Sequence, residues 1–256
     1  MGLLLRPKFQ ASPVENEALY LFKGAENHIL EGGVFADLAP VLDGRHSEEA
    51  IADLLEDRHG RATVHYALGI LRDHQLIIEQ TGPADSQDAF WDALDFAPAE
   101  ARERLRHLKL VVTAMGDVHG GELVAALADD GIAVRTGAEP EAGEVQIVLT
   151  DDYLSDAIAE LARRNWSAKR PWVIASNVGA QLWIGPFFPG GGAGCFECLL
   201  TRLRTNRVIE TYARARAPSG AHRSAPPQTG LSRALAGHLI AMEVVKYWAE
   251  IGRAHV

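Results

Sequence analysis

Lys109–Gly121 reads KLVVTAMGDVHGG. KLVVTAM has the near-continuous apolar character of a strand buried on both faces, and the glycine-bearing turn after it opens a helix over Glu122–Asp129. Working outward, Ile132–Arg135, Val145–Thr150 (VQIVLT), Pro171–Ser176 (PWVIAS) and Gln181–Ile184 (QLWI) read as further strands, with a helix over Tyr153–Asn165 between them. Strands alternating with helices predict a parallel sheet with helices on both faces. A last helix, Leu231–Glu250, carries Leu235, Leu239, Met242, Val245 and Trp248 at helical spacing.

The first strand–turn–helix of such a sheet is where nucleotide sites form, through G-x-G-x-x-G. Here Gly116 and Gly121 match the first and third glycines, Gly120 precedes the last, and Val118 stands in the middle position. A β-branched residue there blocks close approach of a phosphate, and Asp117 adds a repelling carboxylate. The next strand ends Val134-Arg135-Thr136-Gly137 without an acid placed for a ribose hydroxyl. The turn therefore reads as a degenerate site, and ATP is not expected on this chain. Asp151 and Asp152 close a strand at the sheet edge where catalytic groups sit and read either so or as caps of the following helix, and His119 reads as a solvated loop side chain.

Residues 1–80 have a different texture. Ala18–Lys23 (ALYLFK) and His28–Glu31 (HILE) flank Gly24-Ala25-Glu26-Asn27 and read as a hairpin. A helix over Val34–Leu42 must be shortened or kinked by Pro40. Ser47 caps a second helix with Glu48 and Glu49 in its first turn, and a third runs from Ala62 to His74 before a final strand or helix exit at Leu76–Glu79. On the third helix Val64, Ala67, Leu68 and Leu71 form one apolar stripe, while Tyr66, Ile70 and His74 form a second row. That second row either packs under a neighbouring segment or, with the hairpin edge, lines a groove for an extended peptide. Hairpin and three helices together read as a small winged-helix-like module.

Between these parts, Thr81–Asp88 (TGPADSQD) is a polar linker and Pro98–His107 a charged helix, giving boundaries at 1–80, 81–107 and 108–256. The 256 residues are 47% hydrophobic with a net charge of −9, which makes nucleic acid an unsuitable partner and disfavours a DNA-binding regulator. No apolar run approaches the roughly 18–20 residues of a membrane span, so no membrane association and a cytoplasmic location are expected. Cys195 and Cys198 form one C-x-x-C, which supplies two of four zinc ligands; the spacing of His222 and His238 does not demand that they complete the set. Leu199–Arg207 opens a basic stretch running through Arg214, Arg216 and Arg223, and Ala213–Gly230 reads as a mobile crossover loop with solvated arginines.

Arg6-Pro7-Lys8, the ALYLFK/HILE hairpin, Leu42-Asp43-Gly44 and SEEAIADLL resemble the PqqD-like recognition element of ribosomally made, post-translationally modified peptide (RiPP) biosynthesis. Phe90–Leu94, the degraded ThiF/E1-like half and the run Ile184-Gly185-Pro186 to Cys195-Phe196-Glu197-Cys198-Leu199, with Arg202 and Asn206, resemble the E1-like component of azoline-forming cyclodehydratases. The resemblance implies a winged-helix recognition element joined to a Rossmann-type α/β domain. It implies a non-catalytic protein that binds a leader peptide and presents its core to a YcaO partner, in trans or fused downstream, which cyclodehydrates Cys, Ser or Thr to azolines. The leader would add as a strand beside His28, Ile29, Leu30 and Glu31, with side chains against Tyr66, Ala67, Ile70, Leu71 and His74. Zinc on Cys195 and Cys198, with an incomplete ligand set, and a homodimer are implied as well. The competing expectation is an ATP-dependent E1-like enzyme that adenylates a peptide C-terminus, which requires nucleotide at the Gly116 turn.

Overall fold

The computed structural model describes residues 1–191, 194–216 and 228–249. The chain divides into two compact units, Met1–Glu103 and Arg104–Val256.

In the first unit, β1 (Gly2–Leu5), β2 (Gln10–Val14), β3 (Ala18–Lys23) and β4 (Glu26–Glu31) are followed by α1 (Gly33–Leu38). Pro40 ends α1 early, and a single 3₁₀ turn over Ala39–Val41 takes the place of the longer helix expected there. Next come α2 (Glu48–His59), α3 (Arg61–Asp73), β5 (Ile77–Gln80), α4 (Ser86–Ala93) and α5 (Pro98–His107). Ser47 accepts the Ala50 N–H at 3.3 Å and caps α2 as its sequence predicts. The expected hairpin is present, and a strand that sequence reading did not find, β2, pairs with it in the order β2-β3-β4. β2 escapes a hydrophobic-pattern search because all five of its residues are exposed. β1 and β5 form a separate antiparallel pair. Leu19 and Leu21 of β3, Phe35 and Leu38 of α1, Ile51 of α2, and Val64, Leu68 and Leu71 of α3 share one core.

The polar Thr81–Asp88 stretch runs directly into α4. Asp88 is fully buried and paired with Arg102 at 2.9 Å. Asp92 is fully buried beside Arg6 at 2.7 Å, and its second oxygen accepts the Lys8 N–H at 3.0 Å. Buried charges this well matched fix a helix in one position.

The second unit contains β6 (Lys109–Met115), α6 (Gly121–Asp129), β7 (Ala133–Thr136), β8 (Val145–Thr150), α7 (Asp156–Ser167), β9 (Trp172–Ser176), β10 (Trp183–Phe188), α8 (Phe196–Asn206), α9 (Val208–Arg214) and α10 (Gly230–Trp248). The sheet order is β10-β9-β8-β6-β7. β7, β6, β8 and β9 are parallel, whereas β10 runs antiparallel to β9, so the sheet is mixed rather than wholly parallel. The short link from β9 explains this: a parallel return needs a crossover of a dozen or more residues. Val148 and Ile174 face α7 and α8, where Ile158, Leu161, Phe196 and Leu200 complete a core. α10 packs on α6 through Gly237, where an added Cβ would stand 2.9 Å from the Leu123 nitrogen. Residues 217–227, the middle of the expected Ala213–Gly230 loop with His222 and Arg223, lie outside the described residues, as do 250–256, while Ala213 and Arg214 belong to α9 and Gly230 to α10.

Arg135 of β7 donates to Glu144 through Nε at 2.8 Å and through its terminal nitrogen at 2.6 Å. These bonds hold the Glu144 carboxyl below its ordinary value of 4.5. A carboxyl depressed on folding stabilises the protein above its unfolded value and loses that contribution as pH falls through its folded value. Glu144→Gln should therefore cost stability at neutral pH and cost little at about pH 3. Urea titrations of both proteins at the two pH values check this; an equal loss at both would refute the assignment.

Candidate functional site

Two features of the fold face outward with unused chemistry. The first is the free edge of β4, which pairs only with β3 among the described residues. Lys23 and Glu26 face each other across the two-residue loop Gly24-Ala25. In such a hairpin this is a hydrogen-bonded pair, and alternation along the ladder turns the N–H and C=O of Asn27, Ile29 and Glu31 toward the open side. Leu30 packs on the core, and His28 meets the Phe9 ring edge-on at 5.3 Å. Ile29, on the opposite face, is 61% exposed.

Of the α3 residues predicted to contact a peptide, Tyr66 is 72% exposed and His74 is exposed. Ile70 is half-buried against the core. Ala67 and Leu71 are wholly inside that core, so neither has surface left for a guest. They belong to the a/d-like stripe that a three-helix core needs, and spacing alone does not separate that stripe from a groove wall.

The second feature is a cleft of about 450 Å³ outside the carboxyl ends of β8 and β9. β7 and β8 leave the central strand β6 on opposite sides, so the chain reverses direction between β6 and β8, where ligands bind in open α/β sheets. Asp151, Asp152, Ser176, Trp183, Arg207 and Arg214 are among the lining residues. Asp152 accepts two bonds from Arg214, at 2.6 and 2.8 Å, and one from the Leu154 N–H at 3.0 Å. Arg214 also reaches Glu210 one turn earlier on α9. The Arg207 guanidinium lies over the Trp183 ring at 4.8 Å. Burial pushes the Tyr153 phenol far up, and its hydroxyl donates to the Gly185 carbonyl at 3.0 Å, so it serves the cleft as a neutral wall.

The sequence places Arg214 on a loop with solvated arginines, assigns Arg207 only to a basic stretch, and does not reveal α9. The signal was present: Glu210 and Arg214 stand four apart, the spacing of a helical ion pair. Neither Asp151 nor Asp152 caps α7, whose N-cap is Ser155.

The Gly116 turn differs from expectation in an informative way. Val118 does not obstruct it, because its side chain is buried at 6% exposure. The Asp151 carboxylate lies on the turn instead: it accepts the Asp117 N–H at 3.1 Å, and a Cβ on Gly116 would stand 2.1 Å from its oxygen. With φ at +103°, Gly116 is a position only glycine fills without strain. His119 is exposed, as expected, and its carbonyl accepts from Asn177 Nδ2 at 2.6 Å.

Cys195 and Cys198 are free thiols with sulfurs 3.3 Å apart at the start of α8. The Cys198 backbone N–H and thiol hold the Cys195 thiol below its usual value. Among the described residues no group of three or more His, Cys, Asp or Glu could hold a metal ion. The zinc expectation is corrected accordingly: among the described residues the pair stands without further ligands, and His222 lies outside them.

No protein-family profile matches the chain, and no curated protein matches it. Among solved structures it is similar to a heterocyclase in complex with substrate and cofactor, at 30% identity and a TM-score of 0.82, over 99% of this chain and 34% of that one. It is also similar to the heterocyclase TruD, at 27% identity and 0.84, over 100% of this chain and 38% of that one. Escherichia coli MccB with ATP matches at 14% identity and 0.58, over 98% of this chain and 90% of that one. The chain thus spans little more than a third of the heterocyclases it matches, and most of MccB.

These likenesses, with the sheet order, establish an α/β, Rossmann-like fold shared with the heterocyclases and MccB. They also correct three expectations. The structures in question are heterocyclases and MccB, not a leader-binding recognition element serving a YcaO partner. The expectations of a non-catalytic component and of a chain without ATP are corrected to this extent: MccB, which shares the fold, is solved with ATP and with AMPCPP. The described residues contain no helix long and apolar enough to cross a membrane.

Proposed function

We propose that the chain is part of an ATP-dependent enzyme of the E1-like adenylating kind, whose substrate is a peptide activated at its C-terminal carboxyl. The observation that carries this reading is the cleft outside the carboxyl ends of β8 and β9, where Arg207 and Arg214 stand with Asp151 and Asp152. Two guanidinium groups suit a polyphosphate, and two carboxylates suit its divalent cation. The volume is within the range of small-ligand clefts. In adenylation a carboxylate oxygen attacks the α-phosphorus and pyrophosphate departs; the arginines offset charge gathering on the departing group. The likeness to MccB solved with ATP, and with MccA, supports the same class of chemistry.

The free β4 edge is the proposed seat of the peptide, through Asn27, Ile29 and Glu31 on the backbone side and Tyr66, Ile70 and His74 on α3. Strand addition supplies affinity through main-chain hydrogen bonds whatever the side chains, while exposed apolar residues select among peptides. In this reading the first unit works as a winged-helix-like peptide-binding module. A homodimer is part of the proposal, resting on the exposed apolar side chains Val208, Ile209 and Tyr212 of α9.

The higher identity to the heterocyclases favours a second reading, in which the activated peptide carbonyl is attacked by a neighbouring side chain to close a ring. Exchange of radiolabelled pyrophosphate into ATP separates the two. The whole protein is incubated with Mg²⁺-ATP and a library of short peptides bearing free or amidated C-termini. Exchange that depends on a free C-terminus supports adenylation. Products lighter by one water without exchange support ring closure, and neither outcome with any peptide sinks the proposal.

A further inference from the structure

We propose that the peptide seated on β4 is cationic, with an apolar residue opposite Ile29 and a lysine or arginine opposite Glu31. This deepens the reading of β4 as the peptide seat and rests on it. Side chains alternate between the two faces of a strand, so Asn27, Ile29 and Glu31 share the face turned away from the core. The paired positions on β3 continue that face: Tyr20 stands opposite Ile29, and Phe22, 39% exposed, opposite Asn27. A strand added beside β4 places every second side chain on this face, next to Asn27, Ile29 and Glu31 in turn. Ile29 then selects a β-branched or aromatic neighbour. The Glu31 carboxylate selects a cation, because like charges directly opposite each other are destabilising.

The charge of the whole first unit points the same way. Residues 1–103 contain nineteen Asp and Glu against eight Lys and Arg, a net charge of −11, whereas residues 104–256 contain fifteen against seventeen. Each of those eight bases lies within 3.9 Å of an acid of the same unit. Among the described residues none of these contacts reaches Glu31, which is exposed. Glu17, through a hydrogen bond at 2.8 Å, and Glu31, through its charge, hold the Tyr20 phenol above its ordinary value, which marks this face of the sheet as negative. An acidic peptide would meet that field and find a cation only by breaking an existing ion pair. A basic one is drawn in and pairs without such a loss.

The test uses the whole protein and three fluorescent strand-forming peptides of equal length. They share a central isoleucine and differ only in carrying Lys, Gln or Glu two residues to either side of it. Anisotropy at low ionic strength should give the Lys peptide about tenfold or more higher affinity than the Glu peptide, with a narrower gap in high salt. Glu31→Lys should weaken the Lys peptide about threefold to fivefold. Glu79→Lys, in the separate β1–β5 pair, changes the net charge equally and should have a smaller effect. Three peptides that bind alike, or no binding by the Lys peptide, overturn the proposal, and equal effects of the two variants remove Glu31 as its reader. Alike binding that Ile29→Pro still weakens leaves the β4 seat standing without the charge rule. Lys-peptide affinity unchanged by Ile29→Pro removes the seat itself, so the two readings fail separately.

Discussion

Ile29→Pro should weaken peptide binding about tenfold or more while leaving the fold in place. The reasoning is in the ladder. Ile29 faces Tyr20 across β3 and β4, one step from the Leu21–His28 position and three from the loop pair. Its N–H points to the open side, so proline removes a donor that β3 does not use. A guest strand loses one main-chain bond and meets a ring where a donor was. Peptides selected for wild-type binding by display serve as probes, with fluorescence anisotropy as the readout. Unchanged affinity in a variant of wild-type melting temperature would place peptide binding elsewhere on the chain. Leu30→Pro is the informative contrast: its N–H faces β3, so that variant should lose stability as well as binding.

Asp92→Ala should destabilise the first unit by about 3–5 kcal/mol, because it leaves the Arg6 guanidinium buried without its counter-charge. Asp92 has no exposure and Arg6 has 17%, so water cannot take over the lost interactions. The same change frees the Lys8 N–H that Asp92 accepts. Replacing both partners with apolar residues, Arg6→Met with Asp92→Leu, should recover most of the loss, since the penalty is the unmatched charge rather than the missing pair. Urea unfolding followed by fluorescence of Trp91, which is 4% exposed, reports on both. A loss below about 1 kcal/mol in the single variant would show that Arg6 reaches solvent once its partner is gone.

This ion pair also marks what can be read from a one-dimensional string. Arg6-Pro7-Lys8 and Phe90–Leu94 stand out in the sequence as separate segments, and nothing in either names the other as its partner. The distance along the chain is 86 residues. By contrast, α2, α3, β6 and β8 follow directly from capping residues and apolar periodicity, because those signals act within one or two turns of the chain. β2 was illegible for the opposite reason: an exposed edge strand is held by backbone bonds to β3, which leave no pattern in its side chains.

The candidate sites divide in the same way. Paired glycines after a buried strand identified the turn, and an apolar hairpin identified the free edge proposed to seat a peptide. Their meaning was decided elsewhere. Val118 looked like the obstruction because it occupies the glycine position of the motif, yet the residue on the turn is Asp151, thirty-four positions later. Likewise Arg214 looked solvated until α9 brought it to Asp152, 62 positions away.

The amino-acid order by itself therefore determined most of the segments that become helix or strand, that the second half is an α/β unit, and where the hairpin and glycine turn lie. Local torsional preference and side-chain burial act over a few residues and are written into neighbouring letters. Only the tertiary structure decided which carboxylate sits on the glycine turn, which arginines enter the cleft, and that Ala67 and Leu71 are core rather than groove. Those facts depend on sheet order and on charges meeting across long loops, and many sequences with the same local pattern would resolve them differently.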